Sequence, residues 1–141
     1  MFGNVAKGRK PLRLIDIAGG SGSVVERATN SLGERLEELA CVDLSPSAMK
    51  LLEQRFPGVH AVVADARDTG LESGRYDVVT SQFGMEYAGL DSIDEMMRLA
   101  RGRRPACNAR PSPRWRHTSA MQRELLRRCE SLRRRTSLTR R

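Results

Sequence analysis

Residues 12–26 read LRLIDIAGGSGSVVE, and the fold follows from how that stretch divides. Leu12, Leu14, Ile15 and Ile17 form a short, nearly continuous apolar run, the signature of a parallel strand covered on both faces. Asp16 interrupts the run next to the strand's end. Gly19, Gly20 and Gly22 follow, with serines between and after them. Glycine at such a turn allows positive φ and lets a ligand approach the backbone without meeting a Cβ. Val24, Val25 and Ala28 then suit the inner face of a helix that stops at Gly33. The start of that helix attracts anionic or polar groups, and in an open α/β sheet ligands bind at the carboxyl ends of the strands. The same residues also suit a strand-to-helix turn that holds nothing.

Moving outward, the pattern repeats. After an acidic, helix-like approach over 35–40, LACVDL at 39–44 is the second strand, and it ends on an acid, Asp43, 21 residues beyond Gly22. An acid about 20 residues past the glycine turn is where ribose hydroxyls are accepted, since two carboxylate oxygens take both protons. A plain helix cap is the alternative, although Ser45 and Pro46 supply a cap and N1 residue without it. Residues 46–56 form a helix with Met49, Leu52 and Phe56 on one face, closed by Pro57-Gly58. VHAVVA at 59–64 is the third strand, with Asp65-Ala66 at its end and Asp68 competing for the same role. YDVVTSQF at 76–83 is the fourth, and 90–100 is a helix offering Ile93, Met96, Met97 and Ala100 to the sheet. Alternating strands and helices with right-handed crossovers give a doubly wound parallel sheet, an α/β Rossmann-like three-layer sandwich.

Composition sets the limits. No apolar run approaches 18 residues, so no transmembrane helix is expected, and the first residues lack the apolar middle of a signal peptide. Cys41, Cys107 and Cys129 form no C-x-x-C pair, and His60 and His117 stand far apart, which argues against a metal site or disulfide framework. Cytoplasm is the expected compartment. The +8 charge misleads: residues 1–100 carry eleven Lys and Arg against fifteen Asp and Glu, whereas 101–141 carry fourteen Arg against Glu124 and Glu130. We divide the chain into a mobile lead-in at 1–10, a folded domain at 11–102 and a basic tail at 103–141.

The dinucleotide fingerprint G-x-G-x-x-G fails here, because a count from Gly20 and Gly22 reaches Val25. The run D-I-A-G-G-S-G instead resembles the first motif of class I S-adenosylmethionine-dependent methyltransferases, an acid followed by G-x-G-x-G. Ala18 stands at the first glycine, and Gly20 and Gly22 match the others. The resemblance spans roughly residues 13–102. It implies methyl transfer from S-adenosylmethionine to an unidentified small-molecule acceptor, with a sheet of order 3-2-1-4. By the same resemblance, Ala18, Gly19, Gly20 and Gly22 admit the methionine part and Asp16 orients its amino group. Asp43, with Leu44 beside it, holds the ribose end, Asp65 and Ala66 the adenine, and Ser81 and Gln82 border the cofactor. Residues 83–87 face the substrate, Glu86 being a substrate contact, a general base or an exposed loop carboxylate. No catalytic residue is identifiable and no metal is implied.

The family continues with further strands, whereas RRPACNARPSPRWRHTSA has no run of strand length. We therefore expect a truncated or frameshifted methyltransferase with reduced or no turnover, a point that resequencing the gene tests. Its fourth strand becomes an apolar edge suited to self-association. The alternatives are a non-catalytic S-adenosylmethionine binder, a nucleic-acid-binding module acting through the basic tail and a helix near 119–133, and an NAD(P)-binding oxidoreductase fragment. No membrane partner is expected.

Overall fold

The computed structural model describes residues 10–82, 84–101, 124 and 127, apart from the side chains of residues 85 and 86. Four strands, β1 (Leu12–Ile17), β2 (Leu36–Asp43), β3 (His60–Val63) and β4 (Val78–Thr80), form one parallel sheet. Their order is β3-β2-β1-β4, as expected. Among the described residues, α1 (Ser23–Leu32) connects β1 to β2, α2 (Pro46–Arg55) connects β2 to β3, and the short α3 (Met85–Ala88) and α4 (Asp91–Leu99) follow β4.

Alternation along the strands makes two cores, because successive side chains leave opposite faces. Leu14, Leu39, Cys41 and Val78 meet Val24, Val25 and Ala28 of α1 and Met49 and Leu52 of α2. Ile15, Ile17, Ala40, Val42 and Val79 meet Ile93, Met96 and Leu99 of α4. The three-layer sandwich is thus assembled from period-2 strands and one-sided helices. The cap of α2 forms as the S-P pair implies: Ser45 Oγ accepts from Ala48 N at 3.3 Å with Pro46 at N1, a bond that contributes about 1 kcal/mol.

Three boundaries differ from expectation. The approach at 35–40 is not helical: a 3₁₀ turn at Gly33–Arg35 leads straight into β2 at Leu36. Pairing with β1 overrides local propensity there: Leu36 stands opposite Leu12 and Glu38 opposite Arg13, Glu37 meets Arg13 at 2.7 Å, and Arg75 of the loop before β4 adds a 3.0 Å contact to Glu38. The fourth strand is shorter than 76–83, and Phe83 lies outside the described residues. The segment after it contains α3, which was not anticipated.

The outer side of β4 is already engaged at its base. Ala100 leaves α4 in extended backbone and forms a parallel bridge with Tyr76. Tyr76 N donates to Leu99 O at 3.1 Å, and Arg101 N donates to Tyr76 O at 2.7 Å. The chain after α4 therefore enters the position of a next strand, which the arginine-rich composition did not suggest. Of the expected helix at 119–133, only Glu124 and Arg127 are among the described residues; both are helical and joined by a 3.0 Å ion pair. The lead-in lies outside the described residues except for Lys10, whose carbonyl accepts from Arg35 Nη2 at 2.9 Å.

Candidate functional site

A cavity of about 550 Å³ opens at the carboxyl ends of β1, β2 and β3. Its floor is the glycine turn. Ala18 sits there in left-handed backbone, φ 54°, a conformation that alanine adopts at a cost of about 1–2 kcal/mol. Gly84, after β4, presses on Ala18 so closely that a Cβ at 84 would collide with the Ala18 methyl. The glycine missing from the first position of the motif is thus matched by a glycine on the facing segment.

The remaining glycines have different reasons. A Cβ at Gly19 would strike Cys41 Sγ and stand 2.6 Å from Asp16 Oδ2. Gly20 is required by its φ of 54°, because a Cβ there meets nothing within 4 Å. Gly22 departs from its expected role. It caps α1 at φ 87° and is pressed against Leu52 of α2, so it serves helix packing and does not line the cavity. The turn's N–H groups are also used internally: Gly19 N donates to Val42 O at 3.1 Å and Gly22 N to Gly19 O at 3.0 Å.

Asp43 is the joint of the site. Its Oδ2 accepts from Gly20 N and its Oδ1 from Ser45 N, both at 2.9 Å, which ties the turn after β1 to the start of α2. Each oxygen retains acceptor capacity. Leu44 beside it is 68 % exposed on the cavity wall, an unusual position for a large apolar side chain at a strand end.

Asp16 does not reach the cavity surface. It is buried behind Gly19; Oδ1 accepts from Thr80 Oγ1 at 2.8 Å and Oδ2 has no partner. Burial, reinforced by the Asp43 charge and partly offset by the Thr80 hydrogen bond, pushes its pKa up to about 7. The adjacent Cys41 thiol is pushed up to about 12, chiefly by burial, which leaves it a packing residue.

Asp65 and Ala66 both line the cavity, Ala66 with its methyl turned largely into the core, while Asp68 does not. Asp65 is occupied: Oδ1 accepts from Arg67 N at 2.9 Å and Nε at 3.0 Å, and Oδ2 accepts from Nη2 at 2.6 Å. These bonds hold its pKa down to about 2. Gln82 is on the wall with an unpartnered buried Oε1, and Ser81 lies just behind it with an unpartnered Oγ. Sequence reasoning missed Ser21, Ala64, Arg67 and Ala88, which also line the cavity; Gly84 and Tyr87 were anticipated on the substrate side, and Tyr87, on α3, is 90 % exposed. Small residues carry no chemical signature, and an arginine after a strand reads as a solvated turn. Glu86 is in α3, but its side chain lies outside the described residues. Among the described residues no group of three His, Cys, Asp or Glu is placed to hold a metal ion.

A parallel sheet clad on both faces, with Asp43 and Asp65 on a cavity over its carboxyl ends and Asp16 one layer beneath, defines an open α/β domain of the nucleotide-cofactor-binding class. Residues 14–103 match the family model described as a methyltransferase domain, and the chain belongs to that family. A curated relative, the methyltransferase ktnA of Aspergillus niger, is 35 % identical over 85 residues, covering 55 % of this chain. The match spans only 28 % of that protein's length. Among solved structures, an S-adenosylmethionine-dependent methyltransferase from Aquifex aeolicus superposes with a TM-score of 0.65 at 14 % identity, over 89 % of this chain and 73 % of that one. The aminopentose methyltransferase CalS10 of Micromonospora echinaspora, solved with S-adenosylmethionine bound, gives 0.54 at 23 % identity, over 69 % and 41 %.

Proposed function

We infer that this domain binds S-adenosylmethionine and belongs to an enzyme that transfers its methyl group to a small-molecule acceptor. The observation that carries the reading is Asp43: two backbone N–H bonds fix its carboxylate at the cavity floor, and its remaining lone pairs suit a pair of ribose hydroxyls. Asp65 and Ala66 stand one strand further along, where an adenine joined to that ribose would extend. Gln82, on the cavity wall with an unpartnered Oε1, supplies an acceptor for an amino-acid moiety, and Asp16 acts only from behind the glycine turn. The family membership and the exposed Leu44 support the same orientation.

When bound, the cofactor supplies a sulfonium methyl that moves to an acceptor lone pair by in-line displacement, leaving a thioether. The chain contributes placement and exclusion of water. Gly84 and Tyr87 border the open side on which an acceptor would enter. A dinucleotide cofactor is disfavoured, because Val25, which occupies the third-glycine position, is fully buried in helix packing. The sheet-edge position along β4 supports self-association, and the buried free Cys41 and the lack, among the described residues, of a helix able to cross a membrane support a cytoplasmic location.

Titration calorimetry with S-adenosylhomocysteine and NAD tests the binding step. S-adenosylhomocysteine binds and NAD does not, and D43N weakens binding at least tenfold because one acceptor becomes a donor. Binding of NAD, or equal affinity in D43N, overturns the reading. Methyl-transfer assays on the full chain then separate a catalytic domain from a binder without turnover.

A further inference from the structure

We propose that Arg67 is a positioning residue that latches the adenine end of the cavity, giving up Asp65 when the base enters. The proposal rests on the cofactor reading above. Both oxygens of the Asp65 carboxylate are engaged by one residue: Arg67 gives them a backbone N–H and three guanidinium contacts between 2.6 and 3.2 Å. An exocyclic amino group arriving at Asp65 therefore competes with the guanidinium for the same two oxygens. Asp43 presents the opposite case, because its two donors are backbone groups that leave lone pairs toward the cavity.

The surroundings confine the movement to the arginine side chain. Ala66 is buried, and Thr69 is fastened to Glu95 through both its backbone N–H, 2.9 Å, and its hydroxyl, 2.6 Å. The backbone on either side of Arg67 is thus held, while its side chain is 56 % exposed and able to swing. A ligand that must displace a pre-formed contact binds more weakly by the equilibrium constant of that contact.

Calorimetry on the full 141-residue chain reads this directly. R67Q binds S-adenosylhomocysteine about two- to fivefold more tightly than the unaltered chain, the range for a partly exposed ion pair that no longer has to open. Adenosine gains by the same factor, since the latch lies at the base end. R67K, which keeps a cation within reach of Asp65, returns affinity toward that of the unaltered chain, a rescue by charge that a purely structural role would not produce. Equal or weaker binding by R67Q overturns the latch. If neither the unaltered chain nor R67Q binds, the cofactor reading falls with it.

Discussion

At the scale of single residues the site turns on two acids shifted in opposite directions. Burial raises Asp16 from 3.8 to about 7, so the folded chain holds a proton there that the unfolded chain has released. Stability from this group is present in full below about pH 4 and is lost as pH rises toward 7, amounting to about 4 kcal/mol at ~1.4 per pKa unit. D16N keeps an oxygen for the Thr80 hydroxyl and removes the titration. Urea denaturation between pH 4 and 8 is expected to show a falling stability for the original chain and a flatter line for D16N; parallel lines would show that Asp16 stays charged. Glu95, almost fully buried under the loop that carries Thr69, behaves inversely. Arg98, with the Thr69 bonds, lowers it from 4.5 to about 2. Its stabilisation is complete above about pH 4.5 and is lost as pH falls toward 2. E95Q is expected to cost about 2–3 kcal/mol at pH 7 and much less at pH 2, checked in the same experiment. The acid at each strand end was legible as a residue type at a spacing. That Asp16 is buried behind Gly19, or that Arg67 closes on Asp65, depends on side-chain packing from segments far apart in sequence and left no local trace.

At the scale of elements, legibility follows how much of the signal is local. The helix Pro46–Arg55 carries its own cap, its own N1 proline and a one-sided apolar stripe, and it forms where those features stand. Strands β1 and β3 are bounded by turn residues and match within a residue or two. The start of β2 was misread because GERLEEL is helical by composition, whereas the deciding contacts, Arg13–Glu37 with β1 and Arg75–Glu38 with the loop before β4, come from segments that are neighbours only in space. The short α3 has four residues and no cap to announce it. Gly22 shows the same division within one motif: glycine was predicted there for a ligand and is required there by Leu52.

For the molecule as a whole, the decisive feature is the side of β4 that faces away from β1. Backbone groups alternate between the two edges of a strand, so Val78 and Thr80 direct their N–H and C=O the same way as Tyr76, which already bridges Ala100. Something strand-like fits beyond that bridge, and the edge of a second copy is one such occupant, as the apolar sequence of this strand suggested. Charge favours the encounter, because residues 1–100 are net acidic and 101–141 strongly basic, a complementarity between copies that salt screens over about 10 Å at 0.1 M. The midpoint of thermal unfolding is therefore expected to rise with protein concentration, and sedimentation to show a heavier species that dissociates as salt is added. A lysine at Val78 would bury a charge as well as block the edge, so Thr80 is the better probe of pairing once its bond to Asp16 is accounted for. T80P deletes the edge N–H together with that bond, and comparison with T80V, which loses the bond alone, isolates the loss of pairing. A chain that sediments as a monomer at all concentrations, with an unfolding midpoint independent of concentration, would show that the edge is satisfied within the single molecule.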